Sequence, residues 1–112
     1  MSFLDNCYIL DRDDTTTLAL RLHSPLSSVT LDVFTNQAAL QVYSCNGQDG
    51  SLPLKETQGD GAVPKYGCVV LEVQDWIDAI NHPEWMRLNE QIFETGGMDY
   101  VLEASYHFGV AK

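Results

Sequence analysis

Residues 17–33 read Thr17-Leu18-Ala19-Leu20-Arg21-Leu22-His23, then Ser24-Pro25-Leu26-Ser27-Ser28, then Val29-Thr30-Leu31-Asp32-Val33. In the first and third pieces apolar side chains alternate with others, the period of two that turns one face of a strand to a core and the other to water. The middle piece is a cluster of turn formers, so the whole stretch predicts an antiparallel hairpin. A helix needs apolar residues three and four apart, and no such pattern runs beyond about two turns, apart from a short ambiguous piece at Trp76 to Ile80.

The same period recurs on both sides of the hairpin. Leu40-Gln41-Val42-Tyr43 predicts one further strand, and Cys68-Val69-Val70-Leu71-Glu72-Val73, nearly continuous in apolar residues, predicts a strand buried on both faces. Tyr100, Leu102, Ala104, Tyr106 and Phe108 alternate as a closing strand. The segments Ser44 to Tyr66 and Asn81 to Gly97 are polar, contain Gly and Pro, and are long enough to build the edge of a ligand site. About six short strands separated by turns predict an all-β fold, an antiparallel β-sandwich.

At 112 residues, 45% of them apolar, the chain is expected to be a single domain over 1–112, with too many apolar positions for disorder. Sixteen acidic side chains against six basic ones give a formal charge of -10, which repels phosphate backbones and anionic lipid. Nucleic acid and membrane surfaces are thereby disfavoured as partners. No run approaches the roughly 20 apolar residues that span a bilayer, and the first ten residues lack a basic stretch ahead of an apolar one. Cys7, Cys45 and Cys68 are odd in number and without metal-ligand spacing, so reduced thiols, no disulfide, no metal site and a cytoplasmic location are expected.

Glu72 stands out among residues able to do chemistry. It interrupts an apolar strand, where a carboxylate is costly unless paired, hydrogen-bonded or used, and such a group suits a general base. A strand-end glutamate facing water or a lysine fits the same letters. Asp5 precedes the apolar run Cys7-Tyr8-Ile9-Leu10, and Gln41 lies within a strand; both types read hydroxyls, the carboxylate as acceptor and the amide as donor and acceptor. Trp76 and Trp85 follow Glu72 and offer the aromatic wall on which the C–H face of a sugar stacks. His23, His82 and His107 are expected to be solvated or locally bonded. No phosphate-binding loop, GxSxG or HExxH pattern is present.

Taken in order, Asp5-Asn6-Cys7-Tyr8-Ile9-Leu10, the hairpin to Val33, Asn36-Gln37-Ala38-Ala39-Leu40-Gln41-Val42-Tyr43, Leu71-Glu72-Val73-Gln74, Asp78-Ala79-Ile80-Asn81-His82-Pro83 and the strand from Tyr100 to Phe108 resemble the C-terminal portion of the aldose 1-epimerases, or galactose mutarotases. That resemblance implies a single mutarotase-like β domain lacking the N-terminal portion of the family. It implies that Glu72 is the catalytic base and that Asp5 and Gln41 contact a free aldose such as galactose or glucose; Gln74, in the same Leu-Glu-x-Gln stretch, and the aromatic Trp76 are expected to join them in binding it. The implied reaction interconverts α and β anomers by ring opening, with no cofactor and no metal. The histidine acid of the family lies upstream of the matched portion, so the acid comes from elsewhere: His23, His82, His107 or a neighbouring chain. The alternative is a non-catalytic carbohydrate-binding or interaction module of the same fold. A piece of a sandwich exposes sheet edges, and a homo-oligomer is expected to cover them.

Overall fold

The computed structural model describes residues 3–11 and 14–112. Among them are six β-strands, four single turns of 3₁₀ helix and no α-helix: β1 (Asp5–Ile9), β2 (Leu18–His23), β3 (Val29–Thr35), β4 (Ala39–Tyr43), β5 (Val70–Gln74) and β6 (Ala104–Val110). They form two three-stranded antiparallel sheets, ordered β1-β4-β5 and β2-β3-β6. The fold is all-β, as the alternation predicts, with the layers that make a β-sandwich.

Contacts divide the chain into two compact units, one made of Gln41–Glu72 with the segment ending at Tyr8, the other of Ile9–Leu40 with Val73–Lys112. In the second unit the predicted hairpin forms. Its turn closes through the Ser24 N–H to the Val29 carbonyl at 3.0 Å and the Ser28 N–H to the Ser24 carbonyl at 2.8 Å. The register pairs Leu20 with Val33, Arg21 with Asp32 and Leu22 with Leu31, and a bulge falls between Leu18 and Leu20. Arg21 grips Asp32 through two hydrogen bonds of 2.6 Å each, a bidentate clamp that holds the Asp32 carboxyl below the usual carboxylate range. Val33 is fully buried because β3 is the central strand of its sheet. For the same reason β4, central in the other sheet, carries the buried Ala39, Leu40 and Val42.

Three expectations need correction. The last strand begins at Ala104, not Tyr100, because residues 100–103 are held mostly by side chains, with a single backbone bond from the Asn36 N–H to the Glu103 carbonyl at 3.2 Å. The Asn36 amide donates to the Val101 carbonyl at 3.0 Å, the Thr35 hydroxyl to the Glu103 carbonyl at 2.7 Å, and Tyr100 Oη to Gln37 Oε1 at 3.1 Å. The strand expected from Cys68 begins at Val70 and is half-buried, with Glu72 exposed, because β5 is an edge strand. Cys45 and Cys68 are joined in a disulfide, with Cα atoms 5.4 Å apart, so these two are not the reduced thiols expected from an odd count. Cys7, half-buried on β1, lies outside that bond. Disulfides persist in oxidising compartments, so cysteine usage no longer favours the cytosol. Among the described residues no helix is long and apolar enough to cross a membrane.

Candidate active site

Unit 1 brings two of the sequence-selected residues into contact. Gln41, half-buried on β4, donates from Nε2 to Oδ1 of Asp5 at 2.7 Å. A central strand and its edge neighbour place the two side chains opposite one another although they are 36 residues apart. The other end of the amide, Gln41 Oε1, is buried and accepts no hydrogen bond from any described residue. An unmet buried acceptor costs on the order of 1–3 kcal/mol, so the position gains from any hydroxyl that donates to it. Below it, Ser44 fixes the entry to β1: its backbone N–H donates to the Leu4 carbonyl at 2.9 Å, and its Oγ accepts from the Leu4 N–H at 3.0 Å.

Glu72 lies on β5, the strand that follows β4 in the order of the sheet. Its side chain is exposed, so the greasy enclosure inferred from the letters does not form around it. Alternation explains this: Leu71 and Val73 point to one side of β5, and Glu72 to the other. The strand is tied at its start by the Cys45–Cys68 bond and by the Tyr66 N–H, which donates to the Cys45 carbonyl at 3.0 Å.

Gln74 and Trp76 belong to unit 2, where they line a cleft of about 430 Å³ together with Asp75, Gln91, Phe93 and Tyr100. A second cleft of about 550 Å³ shares Asp75, Phe93 and Tyr100 and adds Asn36 and Gln37. Between the two clefts sits a residue that the sequence reading missed. Asp75 Oδ1 accepts from Arg87 Nε at 2.9 Å, from Arg87 Nη2 at 2.5 Å and from the Trp76 N–H at 2.8 Å, and its Oδ2 accepts from Gln91 Nε2 at 2.6 Å. The Arg87 guanidinium also lies 5.5 Å from the Trp76 ring centre, and Trp85 meets that ring edge-on at 6.0 Å. The indole of Trp76 is therefore already engaged. The lone Asp between two named positions was a signal, but its partners, 12 and 16 residues on, are not visible in any local pattern.

All three histidines lie in unit 2 and are solvated or locally bonded, as expected. His82 stacks on Trp85 at 4.0 Å and reaches Glu84 at 2.9 Å and Asp78 at 3.3 Å. Its pKa is raised, first by the Glu84 hydrogen bond and then by the charges of Glu84 and Asp78. His107 meets Ser105 Oγ at 3.2 Å, and His23 is exposed at the end of β2. Among the described residues no group of three or more metal-ligating side chains comes together.

Comparison with known proteins adds the lineage. A probable aldose 1-epimerase of Arthroderma benhamiae is 35% identical over 93% of this chain and 29% of its own length. An epimerase of Gibberella zeae is 40% identical over 81% of this chain and 21% of its own length, and the galactose mutarotase of Rattus norvegicus is 32% identical over 72% and 23%. The chain thus spans less than a third of the length of these curated relatives. No family model matches.

Proposed function

From this kinship with the C-terminal portion of the aldose 1-epimerases and galactose mutarotases, to which the chain belongs, we propose that it handles a free aldose such as galactose or glucose. In this reading Glu72 takes the proton of the C1 hydroxyl while an acid protonates the ring oxygen. The ring opens, the carbonyl rotates, and closure from the other face reverses both roles. Asp5 and Gln41 hold ring hydroxyls, the first as acceptor and the second through the oxygen that lacks a donor. Gln74 and Trp76 are assigned sugar contacts of their own, within the cleft of their unit that they line. A second copy of the chain is proposed as the protein partner, covering exposed sheet edges.

The observation that supports this reading is the Asp5–Gln41 hydrogen bond with its unmet amide oxygen, on a sheet whose next strand bears Glu72. Polarimetric decay of freshly dissolved α-galactose tests it, with the wild-type chain and Glu72→Gln compared. Loss of a base slows such a step by about 10²- to 10⁴-fold, and equal rates for both proteins remove the catalytic role.

The exposure of Glu72 favours a second reading, a module that binds sugar without turning it over. Calorimetry separates the two: heat of galactose binding lost in Gln41→Leu, with no acceleration of mutarotation, selects the module.

A further inference from the structure

Two cysteines joined to each other flank the residues assigned to a sugar. Cys45 lies just past the end of β4, which carries Gln41, and Cys68 lies just before β5, which carries Glu72. All of these, with Asp5, belong to unit 1. Cys45 is fully buried and its backbone is left-handed, at φ 54°, a region that a residue with a side chain enters at a cost. Such a backbone persists only where its surroundings fix it. Here three bonds do so: the disulfide, and the Tyr66 and Gln48 N–H groups, which donate to the Cys45 carbonyl at 3.0 Å and 3.2 Å. Tyr66, on the Cys68 side, is itself left-handed at φ 59°. The disulfide therefore clasps two strained turns, and opening it removes the covalent member of the three restraints.

Strain at Cys45 reaches Asp5 through the residue before it. Ser44 is buried and holds both backbone polar groups of Leu4: its N–H donates to the Leu4 carbonyl at 2.9 Å, and its Oγ accepts from the Leu4 N–H at 3.0 Å. Asp5 comes next in the chain, and its carboxylate meets Gln41 Nε2 at 2.7 Å. A move of Cys45 carries Ser44, Ser44 carries Leu4, and a shift of about 1 Å there is enough to part a hydrogen bond of that length. We propose that the Cys45–Cys68 bond is a redox clasp on the sugar site. Oxidised, it holds Asp5 against Gln41; reduced, it lets Cys45 leave the left-handed region, parts that pair and weakens sugar binding. This regulation rests on the assignment of Asp5, Gln41 and Glu72 to an aldose made above.

The reductant is a dithiol. Its thiolate attacks the sulfur of Cys68, which is half-buried, whereas Cys45 is enclosed. A disulfide forms between the reductant and Cys68, and the Cys45 sulfur leaves as a thiolate that takes up a proton. The second thiol of the reductant then displaces Cys68, closing the reductant's own disulfide and freeing the Cys68 thiol. Two electrons and two protons thus pass from the dithiol to the chain, and an oxidising disulfide reverses the exchange.

Amide exchange followed by NMR, together with calorimetry of galactose binding, tests it on the full 112-residue chain, oxidised and after dithiothreitol. Cys45→Ser with Cys68→Ser imitates the open clasp, and Ser44→Ala cuts the relay with the bond intact. On reduction the Leu4 amide is expected to exchange at least about tenfold faster and galactose affinity to fall at least about tenfold, both recovering on reoxidation. Ser44→Ala is expected to bind galactose as weakly as the reduced chain in either redox state. If the reduced chain and the double serine variant lose their circular dichroism, oxidised Ser44→Ala decides, and wild-type affinity in it overturns the relay. Faster exchange confined to 44–68, with Leu4 still protected, overturns the clasp and makes the bond a local staple. Faster exchange at Leu4 with unchanged galactose affinity overturns control of the site. Galactose bound by neither form overturns the sugar assignment instead, and exchange at Leu4 still decides whether the clasp reaches Asp5.

Discussion

Substitution of Asp75 tests whether one carboxylate organises the loop from Trp76 to Gln91. Breaking a buried ion pair costs about 3–5 kcal/mol, whereas an exposed one contributes about 0–1 kcal/mol. The Asp75 and Arg87 side chains are 12% and 23% exposed, between those limits and nearer the first. Asp75→Ala removes the acceptor of two Arg87 bonds, the Gln91 bond and the Trp76 N–H bond, and is expected to cost about 2–3 kcal/mol. Asp75→Asn keeps the shape and one carbonyl oxygen and is expected to cost about 1–2 kcal/mol, since charge-assisted bonds are about twice as strong as neutral ones. Both tryptophans lie in the unit that holds Asp75, so tryptophan fluorescence in urea reads that unit alone. The Ala variant should lower the melting temperature by about 10 °C at this chain length. A cycle with Arg87→Ala should show a coupling of about 1–2 kcal/mol. A loss below about 0.5 kcal/mol for Asp75→Ala, at unchanged urea slope, refutes the network as the organiser of the loop.

Other outcomes follow from the same geometry. Cys45 and Cys68 close a loop across a sequence separation of 23, for which chain entropy gives about 3 kcal/mol, so Cys45→Ser with Cys68→Ser, or a thiol reductant, should speed amide hydrogen exchange in 44–68; unchanged exchange removes that contribution. His82 and Glu84 give a pH signature. The pKa of His82 is raised above its ordinary 6.5, so its stabilisation is complete below that pH and is lost as pH rises through the raised value. Glu84 is lowered from its ordinary 4.5, so its share is complete above that pH and lost on acidification. Urea midpoints should therefore fall on the alkaline side of 6.5, and His82→Gln should flatten that slope.

Alternation told which residues share a face, and this was enough to place five of the six strands and the hairpin at Ser24 to Ser28, but not β1. It could not tell whether a second layer covers a face. Glu72 shows the difference: its apolar neighbours suggested burial from both sides, yet on an edge strand they turn away from it, and the carboxylate meets water. The same limit applies to pairing. The order β1-β4-β5 skips two strands in sequence, and that non-local order brings Gln41 to Asp5. The Cys45–Cys68 bond was missed for a related reason: an odd count argues against a complete disulfide frame but is silent about any one pair, which depends on where two loop ends return. The strand from Tyr100 failed differently, because Tyr100 and Leu102 carry the right period while the side chains of Thr35, Asn36 and Gln37 take the bonds of the segment in place of a ladder. Periodicity is a property of side chains, and a ladder is a property of backbone groups; where polar side chains compete for those groups, the two part company.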